Sequence, residues 1–150
     1  MRHLTTARPR YGDTDQGGVI HHRTAIDWFE VGRTEMLRDV GFSYAAFERD
    51  LKLRLPVVEA HAEYKTPAFY DDEVLIESWI TDVGRVRFTV RHRILDKSTS
   101  RLILTGHTAL ACTDFSGKVR ALPPELSSAL VPYVESSVPS GRKTDLSPST

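Results

Sequence analysis

The sequence has a single cysteine, no excess of either charge and no long apolar run. Cys112 stands alone and therefore cannot form a disulfide within the chain. Lysine plus arginine and aspartate plus glutamate each number 20, so net charge gives no reason to expect binding to nucleic acid or to an anionic membrane. No stretch approaches the roughly 20 apolar residues that a membrane span requires. We therefore expect a protein that recognises its ligand through local chemistry.

Further features missing from the sequence bear on location and organisation. The N-terminal stretch "MRHLTTARPRYG" has no apolar core of a signal peptide, so we expect a cytoplasmic protein. Cys112 lies in the apolar run "ILTGHTALACT", which favours burial over a catalytic role. A chain of 150 residues suits one domain, which we place at residues 1–135. The remainder, "SSVPSGRKTDLSPST" at 136–150, has few apolar residues and is expected to be disordered.

A helical period follows the opening segment. The pattern predicts one helix of about five turns over residues 24–40, with Gly41 as its stop signal. Thr24, with Asp27 three residues later, is typical of an N-cap with an acidic partner. The segment "SYAAFERD" indicates a short second helix. The apolar positions of the long helix are Ile26, Phe29, Met36, Leu37 and Val40.

From residue 56 the period becomes alternating. Val58, Ala60, Ala62 and Tyr64 share one side of a segment that we interpret as a half-buried strand. The segments "EVLIESWITDV", "RVRFTVRHRIL" and "RLILTGHTALACTDF" predict three more strands separated by turns. The prolines of "RALPPEL" favour the start of a short terminal helix.

These elements predict an α+β fold. The long helix must bury its apolar stripe, and the largest available surface is the sheet. We therefore expect a long central helix wrapped by a curved antiparallel sheet of five to six strands, with Ala60 and Ala62 allowing a close approach. Such a sheet has long unpaired edges, so we expect edge pairing between copies and a homodimer or homotetramer.

The connection "RYGDTDQGGVIHHRT", residues 10–24, combines several chemically active residues. Asp13 and Asp15 are carboxylates that are ionised unless buried or paired, and Gly17 and Gly18 allow a ligand to approach the backbone. The following helix directs free N–H groups toward this loop. A carboxylate beside oxyanion donors suits hydrolysis of an ester or thioester. The alternative is an Asx-type turn that only leads into the helix, and the spacing leaves both interpretations open.

The motifs "YGDTDQGGVIHH", "WFEVGRTEMLRDVG" and "AEYKTPAFYDDEVLIES" resemble the hotdog-fold acyl-CoA thioesterases of the 4-hydroxybenzoyl-CoA thioesterase and tol-pal-associated thioesterase type. The resemblance runs from about residue 8 to residue 124, and its loop motif is fairly specific. It implies the hotdog fold, dimers with active sites at the interface, and hydrolysis of an acyl-CoA to coenzyme A and a carboxylic acid. It implies no cofactor, and acyl carrier protein is a possible carrier instead of coenzyme A.

The resemblance also implies roles for individual residues. The catalytic acid of the family matches Asp15, as either general base or nucleophile, and the oxyanion donor matches the backbone N–H of His22. We expect Gly17, Gly18 and Val19 to contact the substrate, with Gly18 matching a family glycine. From its residue type and place we assign Asp13 to shaping the loop.

Alternative functions on the same fold differ in their chemistry. A non-catalytic protein would bind or scaffold acyl groups without hydrolysis. A hydratase or dehydratase would use a histidine base, for which His22 is the candidate. The family differs among its members at the positions of His21 and His22, so their side-chain roles are open.

A basic stripe marks the third long strand, where Arg85, Arg87, Arg91 and Arg93 fall on one face. Guanidinium groups suit phosphates, so Arg85 and Arg87 are candidates for binding the nucleotide end of coenzyme A. The alternative is a solvated face balanced by carboxylates such as Glu77.

The remaining histidines and charges have simpler interpretations. We expect His92 and His107 to be hydrogen-bonded interior residues. We expect no metal site at the opening motif, because adjacent histidines point in different directions and the His-x-x-x-His spacing is missing. Glu30 and Arg33, three apart on the helix, are expected to form an ion pair at the surface or an interface.

Overall fold

One long helix packed on an antiparallel sheet forms the centre of the molecule. The computed structural model describes residues 1–135, so the predicted disordered tail at 136–150 lies outside the described residues. The strands are β1 (His3–Ala7), β2 (Leu53–Arg54), β3 (Val57–Tyr64), β4 (Val74–Val83), β5 (Arg87–Asp96), β6 (Leu102–Ala111) and β7 (Thr113–Asp114). The helices are α1 (Thr24–Asp39), α2 (Tyr44–Leu51) and α3 (Pro124–Leu130).

The main sheet has the strand order β1-β4-β5-β6-β3, and every pair in it is antiparallel. A separate two-stranded ladder joins β2 to β7. The four long strands predicted from alternation are therefore confirmed. In the described part of the chain, β1 and β3 form the two edges of the sheet, and β3 is the longer at 8 residues.

Helix α1 begins at Thr24 and ends at Asp39, close to the predicted span. The prediction of Thr24 as N-cap is wrong, because Thr24 is already helical and Arg23 occupies the cap position. The Thr24 hydroxyl instead donates a hydrogen bond to the carbonyl oxygen of Asp13, at 3.0 Å. This bond joins the start of the helix to the preceding loop rather than capping it.

The helix approaches the sheet most closely at two glycines. A Cβ on Gly32 would lie 2.5 Å from Ser78 Oγ, and a Cβ on Gly106 would lie 2.3 Å from the carbonyl oxygen of His61. The ring of Phe29 covers Gly106, with its nearest atom 2.4 Å from the same hypothetical Cβ. The absence of these two side chains brings α1 against β4, β5 and β6.

The prediction of β3 as a half-buried strand is wrong for the single chain. Val57 and Val58 are 45% and 52% exposed, and Ala62 alone among the eight residues is partly buried. The physical reason is the position of the helix, because α1 packs mainly on β1 and β4, and β3 lies at the opposite edge of the sheet. Residue alternation reports neither the order of strands nor the reach of a helix.

Two histidines of the sheet have different environments. His92 is buried as predicted, and its Nδ1 lies 2.9 Å from the Ser78 hydroxyl oxygen. The interior prediction for His107 is wrong, because its ring lies on the opposite face of the sheet, stacked on His61 and 3.0 Å from a Glu59 oxygen. His107 pairs in register with Arg91, the neighbour of His92 on β5. Because adjacent residues of a strand point to opposite faces, the two histidines lie on opposite faces of the sheet.

Candidate active site

The loop between β1 and α1 folds into a short hairpin. Thr14 and Ile20 form an antiparallel bridge, and Asp15 N donates to the Val19 carbonyl at 2.8 Å. Gly18 N donates to the Asp15 carbonyl at 3.0 Å, and Gly18 has a φ of +82°. Residues with a Cβ rarely adopt this left-handed conformation, so glycine is required for the turn. The hairpin leads directly into the first turn of α1.

Asp15 lies at the head of this hairpin with an exposed side chain. Its Oδ1 accepts hydrogen bonds from Gly17 N at 2.8 Å and from Val19 N at 3.4 Å. The predicted Asx-type turn is therefore present, and it fixes the direction of the carboxylate. Within residues 1–135 no hydrogen bond reaches Asp15 Oδ2. One oxygen holds the loop together and the other is available to a ligand.

Asp13 differs from Asp15 although only one residue separates them. It is buried, and both of its carboxylate oxygens accept hydrogen bonds from Arg10, at 2.8 to 3.2 Å. The Arg10 side-chain hydrogen bonds lower the pKa of Asp13, against the opposing effect of burial. Its carbonyl oxygen accepts from His21 N at 2.7 Å and from the Thr24 hydroxyl. These contacts agree with the predicted role of shaping the loop.

The residues that precede α1 supply a backbone donor. The His22 side chain is exposed, and no hydrogen bond within the described range 1–135 occupies the amide of His22. Its carbonyl oxygen accepts a hydrogen bond of 2.5 Å from the Tyr64 hydroxyl on β3. The neighbouring amide of Arg23 donates to His21 Nδ1 at 3.2 Å. The free amide at His22 thus stands at the positive end of the helix dipole, where it can stabilise a developing oxyanion.

The hairpin brings together most of the predicted site residues. Asp15, Gly17, Gly18 and Val19 belong to one turn, and His22 follows the Thr14–Ile20 bridge by two residues. Val19 also forms a bridge with Phe69, which anchors the hairpin beside the β3–β4 connection.

Arg85 and Arg87 lie away from this group. Arg87 is the first residue of β5, whereas the last residue of that strand pairs with Val74 beside the end of β1. Ten residues of strand span on the order of 30 Å, so the arginines and the hairpin belong to opposite ends of the sheet. Arg87 Nη2 lies 3.3 Å from a Glu59 oxygen, and Arg85 is exposed. A single chain does not unite them with Asp15.

Sequence reasoning missed a cavity of about 540 Å³ near the far end of α1. The cavity lies between α1, α2 and the end of β6, and Arg33 is among its lining residues. The predicted Glu30–Arg33 ion pair is wrong, because no contact of 4.0 Å or less joins them in residues 1–135. Arg33 Nη1 instead lies 3.4 Å from the Thr108 hydroxyl on β6. The signal in the sequence is the spacing of Phe29, Arg33 and Leu37, which places an arginine in a stripe of buried apolar residues.

The described residues contain neither a candidate metal cluster nor a candidate membrane-spanning helix. Residues 1–135 contain no group of three or more His, Cys, Asp or Glu side chains arranged to hold a metal ion. Over the same range, no helix is both long and apolar enough to cross a membrane.

Comparison with protein families shows what this fold and loop are similar to. The family model of the thioesterase-like superfamily matches residues 9–130, which include the hairpin, all of α1 and the long strands. The acyl-CoA thioester hydrolase YbgC of Escherichia coli O157:H7 is 33% identical over 117 residues, which are 77% of this chain and 86% of the relative. The 1,4-dihydroxy-2-naphthoyl-CoA hydrolase of Synechococcus elongatus is 27% identical over 117 residues, 77% of this chain and 85% of the relative.

Comparison with solved structures agrees with the sequence comparisons. The crystal structure of DHNA-CoA thioesterase from Staphylococcus aureus superposes with a TM-score of 0.82 and 30% identity. The superposition covers 87% of this chain and 89% of the other. A match of that extent includes the central helix and the sheet, and the expected hotdog fold is confirmed.

Proposed function

The chain belongs to the thioesterase-like superfamily and is a thioester hydrolase, and from this premise we propose that it hydrolyses acyl-CoA thioesters through Asp15 and the backbone amide of His22. The observation that carries the proposal is the pairing of two free groups on one short segment. An exposed carboxylate oxygen of Asp15 and an unoccupied amide at His22 flank the same hairpin. Hydrolysis of a thioester needs both kinds of group.

The free Asp15 oxygen serves either of two routes. As a nucleophile it bonds to the thioester carbon, the C–S bond breaks with release of the thiolate, and water then hydrolyses the resulting anhydride. As a general base it accepts a proton from a water molecule whose oxygen bonds to the same carbon, and the C–S bond then breaks with release of the thiolate. In both routes negative charge develops on the carbonyl oxygen, and the His22 amide donates to it. One such donor contributes on the order of 3 kcal/mol to the transition state.

The hydrogen bonds of the loop support this role for Asp15. Oδ1 is held by the amides of Gly17 and Val19, so the carboxylate keeps its orientation without substrate. A group that is already oriented loses little entropy in the transition state. Gly17, Gly18 and Val19 then pack against the substrate without donating to its carbonyl, because their amides already donate to Asp15.

Coenzyme A is the proposed carrier because two of the similar proteins are named for acyl-CoA substrates. Acyl carrier protein stays a possible carrier. Arg85 and Arg87 remain candidates for the phosphates of the nucleotide, although Arg87 already contacts Glu59. Because these arginines lie at the other end of the sheet from Asp15, they can contribute to the same site only from a second copy. We propose a homodimer or homotetramer for this reason as well.

The test is thiol release from a panel of acyl-CoAs by the wild type and by Asp15→Asn. We expect kcat to fall by at least about 1,000-fold in Asp15→Asn, because loss of a group that acts directly in the reaction has effects of that size. The unfolding midpoint should stay unchanged, since Asp15 is exposed. Asp82→Asn is the matched control, an exposed aspartate at the far end of β4, and it should retain wild-type turnover.

Full turnover in Asp15→Asn would overturn the proposal. Product analysis covers the other reaction considered on this fold: a hydrated acyl-CoA formed without release of thiol would identify a hydratase. Such a result would make the imidazole of His22 the next residue to test.

A further inference from the structure

The cavity at the far end of α1 has the size of a small-molecule site. Its volume of about 540 Å³ lies within the range of roughly 300 to 1,000 Å³ that is usual for ligand pockets. Apolar walls come from Leu37, Phe42, Leu55 and Leu110. A body of this volume suits an acyl group of moderate length or an aromatic acyl group.

Polar side chains of Glu30, Thr34, Arg38 and Ser43 also line the cavity, and Arg33 lies among them. Burial lowers the pKa of the guanidinium, and the charge of Glu30 offsets part of that effect. Its one hydrogen bond within residues 1–135 is the 3.4 Å contact with the Thr108 hydroxyl, and no carboxylate in that range lies within 4.0 Å of it. A guanidinium has five N–H donors, and half-buried Arg33 pairs only one of them within residues 1–135. The group therefore lacks acceptors that a ligand can supply.

The cavity and Asp15 occupy opposite ends of edge strand β3. At one end, Tyr64 binds the carbonyl oxygen of His22, next to the proposed oxyanion donor. At the other end, Val57 pairs with Leu110, which lines the cavity. From the start of α1 to Arg33 the helix rises about 14 Å, so Asp15 and the cavity of one chain are far apart.

A second copy brings the two ends together. The exposed β3 edge offers unpaired backbone groups and exposed Val57, Val58 and Tyr64. Antiparallel pairing of the whole strand with its own copy about a two-fold axis places residue 57 of one chain beside residue 64 of the other. Neighbouring strands lie about 4.8 Å apart, so the cavity of one chain then opens next to Asp15 and His22 of the other.

We infer that this cavity receives the acyl group of the substrate, and that Arg33 selects acyl groups with an acceptor oxygen distant from the thioester. The inference rests on the proposed function. An acceptor oxygen on the acyl group, whether hydroxyl or carboxylate, accepts the N–H donors that the chain leaves unpaired. An unsubstituted alkyl group offers no acceptor to these donors. Sites built around a buried donor discriminate strongly against ligands that lack the matching acceptor.

Substrates of one length that differ only at the far end test the selection. Thiol release is measured with hexanoyl-CoA, 6-hydroxyhexanoyl-CoA and adipyl-CoA. We expect kcat/KM of the wild type to be about 10- to 100-fold higher for at least one oxygenated substrate than for hexanoyl-CoA. A charge-assisted bond would favour the carboxylate, and the adipyl to hydroxyhexanoyl ratio identifies which oxygen the site prefers. Equal or higher kcat/KM for hexanoyl-CoA overturns the inference.

Variants of Arg33 assign the preference to this side chain. Arg33→Met should remove the difference among the three substrates, and Arg33→Lys should restore part of it. Arg49→Met is the matched control, because that exposed arginine on α2 already pairs with Asp50; it should keep the wild-type ratio. An unchanged ratio in Arg33→Met, or the same loss on every substrate in a variant with wild-type circular dichroism, contradicts the role of Arg33.

Mixed dimers test the contribution of the second copy. Subunits that carry Asp15→Asn are mixed with subunits that carry Arg33→Met, unfolded together and refolded. With adipyl-CoA, mixed dimers regain one complete site, so about a quarter of the sites should recover the oxygenated-substrate activity. If Asp15 and Arg33 act within one chain, the mixture recovers none.

The outcomes separate this inference from the proposed function. No thiol release from any of the three acyl-CoAs or from acetyl-CoA would count against the proposed function. Thiol release at equal efficiency from all three would leave hydrolysis in place and reject the selection by Arg33.

Discussion

Glycines are required for opposite reasons at the contact between helix and sheet and in the hairpin that precedes the helix. At the contact, Gly32 on α1 and Gly106 on β6 leave no room for a side chain, with hypothetical Cβ contacts of 2.5 Å and 2.3 Å. In the hairpin before the helix, Gly18 has nothing within 4 Å of its hypothetical Cβ, and its positive φ alone requires glycine. The first region is close-packed and supports the fold. The second is open to solvent and belongs to the proposed site, so the packing of the fold and the proposed chemistry depend on different stretches of the chain.

The largest expected effect on stability comes from a substitution in the close-packed region. Gly106→Ala forces a methyl group against the backbone carbonyl of His61, which cannot rotate away as a side chain can. We expect a loss of about 3 kcal/mol in the free energy of unfolding, measured by urea denaturation. Gly12→Ala is the control, since its hypothetical Cβ meets nothing within 4 Å. Similar stability of the two variants would show that the sheet relaxes around the added methyl group.

A second prediction concerns the histidine in that region. Burial lowers the pKa of His92 to about 3, with the charges of Arg33 and His107 contributing, whereas an unfolded histidine has a pKa near 6.5. Below pH 6.5 the unfolded chain therefore binds a proton at His92 that the folded chain does not bind. The free energy of unfolding falls as pH decreases below about 6.5. Between pH 7 and pH 5 the loss should be about 2 kcal/mol.

Urea unfolding at several pH values checks the assignment to His92. His92→Asn should flatten the dependence between pH 7 and pH 5, whatever its effect on absolute stability. His61→Gln, at an exposed position on the outer face, should keep the wild-type slope. An unchanged slope in His92→Asn would mean that another group binds the proton.

The smallest stability effects are expected in the hairpin. Gly18→Ala should cost about 1 kcal/mol, because alanine is strained at a φ of +82°. Gly17→Ala should change stability less, but its methyl group would lie 3.2 Å from Asp15 Oδ1 and displace the carboxylate. We therefore expect kcat to fall more in Gly17→Ala than the stability difference explains. Wild-type kcat in a folded Gly17→Ala variant would show that turnover does not depend on the exact position of the Asp15 carboxylate.

Local periodicity allowed most of the elements to be predicted. The 3.6-residue period placed the long helix at 24–40, and the structure has Thr24–Asp39. Two-residue alternation located the long strands, because burial of one sheet face is recorded in every second residue. The Asx-type turn at Asp15 was also accessible, since it depends on residues that are neighbours in the chain.

Features that depend on long-range arrangement were not accessible from the sequence. The exposure of β3 follows from its position at the end of the strand order, which alternation does not report. The Thr24 hydroxyl donates to the carbonyl oxygen of Asp13, eleven residues earlier in the chain, and does not cap its own helix. The spacing of Glu30 and Arg33 predicted an ion pair between them. The packing of α1 on the sheet instead places the Arg33 guanidinium beside the Thr108 hydroxyl of β6.

The carbonyl oxygen of Asp13, which accepts from both His21 N and the Thr24 hydroxyl, has a consequence for how this protein can diversify. All partners in that arrangement come from the twelve contiguous residues 13–24, so a single short stretch of the gene encodes it. Substitutions outside this stretch leave these hydrogen-bonding groups in place. If the proposed roles hold, new specificities can evolve through the remote cavity walls while the loop is inherited unchanged.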